Sequence, residues 1–219
     1  MARRLLLIGA TGLVGRLFAG RLGAADAELH ALARRPAGPG SPAWREHVAP
    51  PADWPSIARD IRAEIAVSAL GTTMRAAGSQ AAFRAVDFDM VVDVASASRA
   101  AGASHMIAVS SVGADAGSKN FYLRLKGEME QALDSLGFDR LDIVRPGLLR
   151  GPRGADRRPG ERLGIIVSPV VNLLLGGRLD RYRAIDADVV AAAMAALLAP
   201  AEPGCRIHHN RDLHKLAGR

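Results

Sequence analysis

The chain has 219 residues, of which 49% are hydrophobic, 23% are charged and only 4% are aromatic. This length suits one hydrophobic core, and the composition excludes a disordered, collagen-like or disulfide-stapled protein. The formal net charge of +7 would suit a nucleic-acid partner. The basic residues are scattered along the chain, however, and no aromatic side chains are interleaved with them, so we predict no nucleic-acid binding.

Other features of the composition concern the location of the protein. The one cysteine, Cys205, cannot form an intramolecular disulfide, which favours a reducing compartment. The apolar run at 5–8 is too short for a secretory signal, and the apolar stretch at 165–175 is shorter than the roughly 20 residues of a spanning helix. We therefore expect a cytoplasmic protein without a membrane span.

Apolar strand-like runs alternate with helical patterns through the first two thirds of the chain. Strands are predicted at 5–8, 28–33, 47–48, 65–70, 106–109 and 141–144, and helices at 12–22, 54–63, 81–101 and 120–136. Apolar strands in this alternation are typical of a parallel sheet that is covered on both faces. Because crossovers between parallel strands are right-handed, we predict an α/β fold with a doubly wound parallel sheet, the Rossmann fold.

The pattern changes after Pro146. Residues 147–183 carry several prolines, glycines and arginines, and they include the apolar stretch at 165–175. We predict that this segment is a small cap over the carboxyl ends of the strands. No linker or repeat interrupts the chain, so the whole of 1–219 is expected to form one domain with the cap inserted in it.

A final alanine-rich helix is predicted at 187–198, and a polar tail with His208, His209 and His214 follows it. A metal site would require these histidines on one rigid element together with a carboxylate. Chain termini are usually loose, so we expect a solvated tail and no metal.

A glycine-rich turn directly follows the first predicted strand: Gly9-Ala10-Thr11-Gly12-Leu13-Val14-Gly15. Strand, turn and helix come in the order that a dinucleotide site requires. Gly9 would allow the tight turn, Gly12 the approach of a pyrophosphate, and Gly15 close packing of helix on strand. We predict that the turn binds a cofactor, with Thr11, Leu13 and Val14 among the contacting residues.

The second predicted strand leads into Arg34 and Arg35. An NAD site usually has an acidic residue here for the ribose hydroxyls, whereas arginines suit a 2′-phosphate. We therefore predict NADP(H) as the cofactor. The alternative is a pair of solvated arginines in an arginine-rich chain.

Tyr122 and Lys126 are four residues apart in a predicted helix and therefore share a face. A neighbouring ammonium favours the ionised phenolate, and such a phenol can exchange a proton with a carbonyl or alcohol oxygen. Ser110 and Ser111 follow a predicted strand, where either could orient a substrate carbonyl. We predict that these four residues are catalytic. The alternative is a core tyrosine beside a solvated lysine.

These motifs resemble the atypical branch of the short-chain dehydrogenase/reductase superfamily, with members like the Tat-interacting-protein oxidoreductase. The segments that carry the resemblance are Gly9 to Gly15, Ala33-Arg34-Arg35, Leu70-Gly71-Thr72-Thr73, Ser110-Ser111-Val112-Gly113-Ala114-Asp115, Tyr122-Leu123-Arg124-Leu125-Lys126-Gly127-Glu128, Arg145-Pro146-Gly147 and Arg158-Pro159-Gly160-Glu161. The resemblance implies an NADP(H)-binding fold with a Ser-Tyr-Lys site.

The resemblance further implies cofactor contacts outside the glycine turn. Leu70 and Gly71 would pass beside the adenosine ribose, and Tyr122 and Lys126 would contact the cofactor as well as the substrate. Pro146 and Gly147 would face the nicotinamide with Leu149 nearby, and Arg158 would reach the cofactor from the cap. Residues 70–73 stand where the main branch has Asn-Asn-Ala-Gly, so the asparagine of its proton relay is missing.

The sequence thus predicts an NADPH-dependent oxidoreductase of the carbonyl reductase or alcohol dehydrogenase type, acting on a small and partly hydrophobic substrate. Two alternatives stay open: an NADP(H)-binding regulator without turnover, and an enzyme of the nucleotide-sugar epimerase or dehydratase type. A monomer and a homodimer are equally compatible with the sequence. For Asp87 in the long predicted helix, a role near the glycine turn and a plain surface charge are equally expected.

Overall fold

The computed structural model describes residues 3–23, 27–36, 44–151 and 182–219. Its centre is a seven-stranded sheet in which every strand pairs parallel to its neighbours, in the order β3-β2-β1-β4-β5-β6-β9. The strands are β1 (Arg3–Ile8), β2 (Ala27–Ala33), β3 (Trp44–Val48), β4 (Ile65–Ser68), β5 (His105–Val109), β6 (Arg140–Val144) and β9 (Gly204–His208). The predicted doubly wound parallel sheet is confirmed.

Helices follow most of the strands and cover both faces of the sheet. They are α1 (Leu13–Ala19), α2 (Trp54–Ile61), α3 (Met74–Ala77), α4 (Gln80–Arg84), α5 (Met90–Ala100), α6 (Phe121–Ser135), α7 (Ala187–Ala196) and α8 (Asn210–Leu216). Two short strands, β7 (Leu149–Arg150) and β8 (Ile185–Asp186), form a separate parallel pair.

The apolar strands divide their side chains between two cores, which explains why the predicted strands read as continuous apolar runs. Leu5 and Leu7 face a core with α1 and α7, whereas Leu6 and Ile8 face a core with α2, α5 and α6. All four are at most 2% exposed. This burial fixes the sheet so that the loops after β1, β4, β5 and β6 meet at one edge.

The long helix predicted at 81–101 has an irregular centre. A π-helical turn at Ala85–Asp89 separates α4 from α5. The wider turn changes the direction of the side chains that follow, and such turns are common at functional sites. It places Asp87 in the interior, where the residue is 1% exposed.

The expectation of a solvated tail after residue 198 is wrong for its first part. Residues 204–208 form β9 at the edge of the sheet, parallel to β6. The ring of His208 lies 2.7 Å from a carboxylate oxygen of the fully buried Asp142. This polar contact orders the segment, and α8 follows it and buries Leu213 in the α1–α7 core.

No helix within the described ranges is long and apolar enough to cross a membrane. Most of the predicted cap, with its helix at 165–175 and with Arg158, lies outside the described residues.

Candidate functional site

The candidate site lies at the carboxyl ends of the central strands. The sheet runs outward in opposite directions from β1, through β2 to β3 on one side and through β4 to β9 on the other. In open α/β sheets, ligands bind at such a point of reversal. The glycine turn follows β1, residues 69–73 follow β4, the two serines follow β5, and residues 145–147 follow β6.

The glycine turn is packed tightly against its neighbours. Gly9 has a φ of +89°, and a Cβ atom built on it would lie 2.4 Å from the carbonyl carbon of Ala69. A Cβ atom on Gly15 would lie 2.2 Å from the carbonyl oxygen of Gly9. These two glycines therefore allow the turn and the helix packing that their positions predict.

The outer part of the same turn is open. Gly12 is exposed at the start of α1, next to the exposed Thr11, and its N–H donates to the Gly9 carbonyl over 3.0 Å. Leu13 is half-buried and Val14 is buried in the core. A Cβ atom on Gly151 would lie 3.0 Å from Cδ2 of Leu13, so the chain after β7 passes beside the turn.

Arg34 and Arg35 lie directly after β2 and are both exposed. Neither guanidinium forms a hydrogen bond or an ion pair with a residue in the described part of the chain. Two positive charges are thus available next to the carboxyl end of β2.

Tyr122 and Lys126 lie in the first two turns of α6, which Asn120 caps by accepting the Leu123 N–H over 3.2 Å. The half-buried ring of Tyr122 packs edge-on against Phe83, with ring centroids 5.8 Å apart. The side chain of Lys126 is only 3% exposed. The structure therefore keeps the pair on one face but gives the two groups very different surroundings.

The ammonium of Lys126 is held by Asp87, a residue whose role the sequence left open. The Nζ atom lies 2.8 Å from one carboxylate oxygen of Asp87, and the other oxygen accepts the Thr72 N–H over 2.8 Å. Asp87 is therefore a buried residue of this site and not a surface charge. One signal was present in the sequence, because Asp87 lies four residues after Phe83 and four before Val91, on the buried stripe of the helix.

The structure separates the two candidate serines. The hydroxyl of Ser110 donates to Glu130, whose carboxylate is paired with Arg145 at the rear of the site. Ser111 is half-buried and its hydroxyl makes only a 3.3 Å contact with the Val112 carbonyl. Ser110 is thus occupied by an internal hydrogen bond, whereas Ser111 is the serine that could meet a ligand.

The loop after β6 is tied to the serine loop and to α8. The Val112 N–H donates to the carbonyl of the buried Pro146 over 3.0 Å. The Gly147 N–H donates to the Asn210 side chain, which in turn donates to the Arg183 carbonyl over 2.7 Å. Asn210, which the sequence did not single out, therefore joins both ends of the predicted cap to the start of α8.

Three further residues that were predicted to contact the cofactor differ in how exposed they are. Leu70 is half-buried and Gly71 is exposed in the loop after β4, beside the glycine turn. Leu149 is half-buried in β7. Among the residues described, no cluster of histidine, cysteine or acidic side chains is suited to holding a metal ion.

The sheet order, the glycine turn at the switch point and the loops gathered there define a Rossmann fold of the kind found in NAD(P)-binding oxidoreductases and epimerases. The chain is 34% identical over 230 residues to the protein FMP52, mitochondrial, of Coccidioides immitis, covering 97% of this chain and 92% of that protein. It belongs to the FMP52 family.

A second relative is the protein HTATIP2 of Rattus norvegicus, which is 43% identical over 100 residues, covering 46% of this chain and 40% of that protein. No family model matches the chain.

Solved structures share the fold at low sequence identity. The dTDP-4-dehydrorhamnose reductase of Bacillus anthracis, in complex with NADP, superposes with a TM-score of 0.65 at 15% identity over 100% of this chain and 81% of that one. MoeE5 in complex with UDP-glucose and NAD gives a TM-score of 0.68 at 15% identity over 93% of this chain and 74% of that one. Proteins of this fold therefore bind either dinucleotide.

The expectation of a cytoplasmic protein is wrong. The Coccidioides immitis relative is named mitochondrial, as are relatives from Aspergillus niger and Emericella nidulans. The expectation had rested on one unpaired cysteine and on the lack of a long apolar stretch. Neither feature distinguishes the cytoplasm from the interior of an organelle.

Proposed function

We propose that the chain is an NADPH-dependent oxidoreductase of the short-chain dehydrogenase/reductase type, which interconverts a carbonyl compound and an alcohol. The observation that carries this proposal is the position of Tyr122 one helical turn before a buried Lys126 that is ion-paired with Asp87, at the switch point of a Rossmann sheet. A lysine buried in this way is unfavourable unless its charge is used or balanced. Tyr122 supplies a phenol that can exchange a proton.

The residues present suit a phosphorylated dinucleotide. Gly9 and Gly15 allow the turn to pack closely on the protein's own backbone, and Thr11, Gly12 and Leu13 lie at its open side, at the amino end of α1. Arg34 and Arg35, exposed and unpaired within the described residues, suit the 2′-phosphate that distinguishes NADP from NAD. The remaining residues that we propose to contact the cofactor are Leu70, Gly71, Pro146, Gly147, Leu149 and Arg158.

When bound, the nicotinamide supplies or accepts the hydride at the carbonyl carbon. In the reductive direction, the Tyr122 hydroxyl donates its proton to the substrate oxygen as that carbon is reduced. The Ser111 hydroxyl hydrogen-bonds the same oxygen and holds it near the phenol. The Lys126 charge stabilises the phenolate that remains, and its ammonium contacts the cofactor ribose.

Several exposed apolar side chains support a partly hydrophobic substrate. Leu148 is 55% exposed after β6 and Met74 is 41% exposed in α3 after β4. Tyr182 is 39% exposed, and its ring lies 3.9 Å from a Cβ atom built on Gly113 in the serine loop. We further propose that residues 147–183 act as the substrate cap within a single domain, and that the protein is mitochondrial like its fungal relatives.

A second candidate is an epimerase or reductase of nucleotide sugars that holds NAD tightly. It is favoured by the shared fold with MoeE5, which was solved with UDP-glucose and NAD. The arginine pair after β2 favours NADP as the cofactor instead. The nucleotide that the purified protein retains therefore separates the two candidates.

The first experiment is mass spectrometry of ligands released from the purified protein, followed by a panel of carbonyl compounds monitored through NADPH absorbance. We expect NADP(H) to be released, and turnover with at least one partly hydrophobic carbonyl compound. Tyr122→Phe should abolish this turnover and keep NADPH binding. Release of NAD with a nucleotide sugar would support the second candidate, and tight NADPH binding without turnover would support a regulator.

A further inference from the structure

We propose that Asp87 is a positioning residue that keeps Lys126 charged and aims its ammonium within the site. The inference rests on the proposed function only in that it concerns the same Tyr122–Lys126 pair. It adds to that pair a carboxylate from a different helix, which the motif itself does not contain.

Burial makes an anionic partner necessary for Lys126. The side chains of Lys126 and Asp87 are 3% and 1% exposed, and their charged atoms are 2.8 Å apart. Transfer of an ammonium group out of water strongly favours its neutral form unless an opposite charge lies close by. Among the described residues, Asp87 is the one that lies within ion-pair distance of Lys126.

The other ionisable groups near this face of α6 have different partners. Glu130, one turn further along the helix, is paired with Arg145 and accepts the Ser110 hydroxyl. On the helix packed against α6, Arg84 pairs with Glu128 and Asp89 on the outside. Tyr122 shares the face with Lys126 but carries no charge as a phenol. The charge of Lys126 therefore depends on Asp87.

The local fold fixes the carboxylate from two sides. The π-helical turn at Ala85–Asp89 has Asp87 at its centre and turns it into the interior. The Thr72 N–H donates to the second carboxylate oxygen over 2.8 Å, which anchors it to the loop after β4. The Asp87 carboxylate therefore has a fixed position, and it holds the Lys126 ammonium at that position.

The chain offers a direct test, because it contains only three lysines, Lys119, Lys126 and Lys215. NMR titration of protein labelled at the lysine ε-carbon would give three signals, and Lys126→Arg identifies one of them by its loss. In Asp87→Asn, we expect the Lys126 signal to change at a lower pH than in the unaltered protein, because the buried ammonium has then lost its counter-ion. Lys119 and Lys215 should be unchanged.

Asp89→Asn is the matched control, because Asp89 is an exposed carboxylate at the end of the same π-helical turn. It should leave the Lys126 signal in place. An unchanged Lys126 titration in a folded Asp87→Asn protein would overturn the inference, and so would an equal shift in the control.

A second measurement on the unaltered protein covers the case in which Asp87→Asn does not fold. The Nζ protons of Lys126 should exchange slowly with water at neutral pH, whereas those of the two other lysines exchange fast. A neutral Lys126 amine at pH 7 would overturn the inference. Neither measurement uses substrate or cofactor, so a failure here is distinct from a failure of the proposed oxidoreductase activity.

Discussion

A Cβ atom on Gly15 would lie 2.2 Å from the carbonyl oxygen of Gly9, so the first turn of α1 can pack on the end of β1 only because residue 15 has no side chain. The contact is with backbone, which cannot move aside as a flexible side chain would. The position of the whole glycine turn therefore depends on this one approach.

Gly15→Ala should displace α1 from the turn and weaken NADPH binding by about tenfold or more, because even a small shift removes the cradle for the phosphates. Isothermal titration calorimetry measures the loss. Gly20→Ala is the control, since a Cβ atom there would lie 3.5 Å from the Arg16 carbonyl and φ is −66°. Normal NADPH affinity in Gly15→Ala would show that the turn is not the binding site.

Arg34→Ala and Arg35→Ala should each reduce affinity for NADPH more than affinity for NADH. A bidentate arginine contact with a phosphate is worth about 1.5–3 kcal/mol, or roughly tenfold to a hundredfold in affinity. NADH lacks this phosphate and should be affected little. Arg59→Ala, an exposed arginine on α2, serves as the control for lost positive charge. Equal losses for the two dinucleotides would contradict the assignment of NADP(H).

Ser111→Ala and Ser110→Ala should have different effects. Loss of the Ser111 hydroxyl should lower kcat by about tenfold or more with any substrate found in the carbonyl panel, as for other lost donors to a reacting oxygen. Loss of the Ser110 hydroxyl removes a hydrogen bond to buried Glu130, and should instead lower the free energy of unfolding by about 1–3 kcal/mol. Steady-state kinetics and urea unfolding together distinguish the two. The opposite pattern would assign the substrate contact to Ser110.

Asp142 makes the free energy of unfolding depend on pH in the acid range. Its burial alone would raise the pKa, but hydrogen bonds from His105 and His208 and the charge of Arg140 outweigh burial and hold the pKa of Asp142 well below its usual range. A carboxyl with a lowered pKa adds stability that is complete above its unfolded pKa of about 3.9 and disappears as pH falls towards the folded value.

Asp142→Asn should therefore lower the free energy of unfolding at pH 7 by about 3–5 kcal/mol, since it leaves Arg140 without its buried partner. The difference from the unaltered protein should shrink as pH falls below about 4, because the unfolded chain then binds a proton at Asp142 that the native carboxylate does not. Urea unfolding followed by circular dichroism at several pH values measures it. Asp60→Asn, at an exposed carboxylate on α2, should cost little at any pH. A difference that stays constant down to pH 2 would contradict this account.

The sequence predicted those strands that are buried on both faces of the sheet. β1 and β4 contain the apolar runs at 5–8 and 65–67 because helices cover both faces, and the spacing of Gly12 and Gly15 follows from their close approach to the Gly9 carbonyl. Local pattern and final structure coincide there because neighbours along the chain are also neighbours in space.

The sequence did not predict features that depend on distant partners. β9 is an edge strand in which Arg206 and His208 are half-buried, and its polar residues suggest a loose tail until Asp142 is known to lie beside His208. The role of Asp87 likewise depends on Lys126 in another helix and on the π-helical turn that contains Asp87. No spacing rule within one segment reveals either contact.

In the proposed complex, a phosphorylated dinucleotide lies across the switch point with its nicotinamide beside Tyr122 and Lys126. A crystal structure with NADPH bound would show whether it does. We expect the 2′-phosphate next to Arg34 and Arg35, the pyrophosphate on the glycine turn, and the Lys126 ammonium on the nicotinamide ribose. Crystals grown with saturating NADPH that leave the glycine turn empty, or that place the nicotinamide away from Tyr122, would contradict the account.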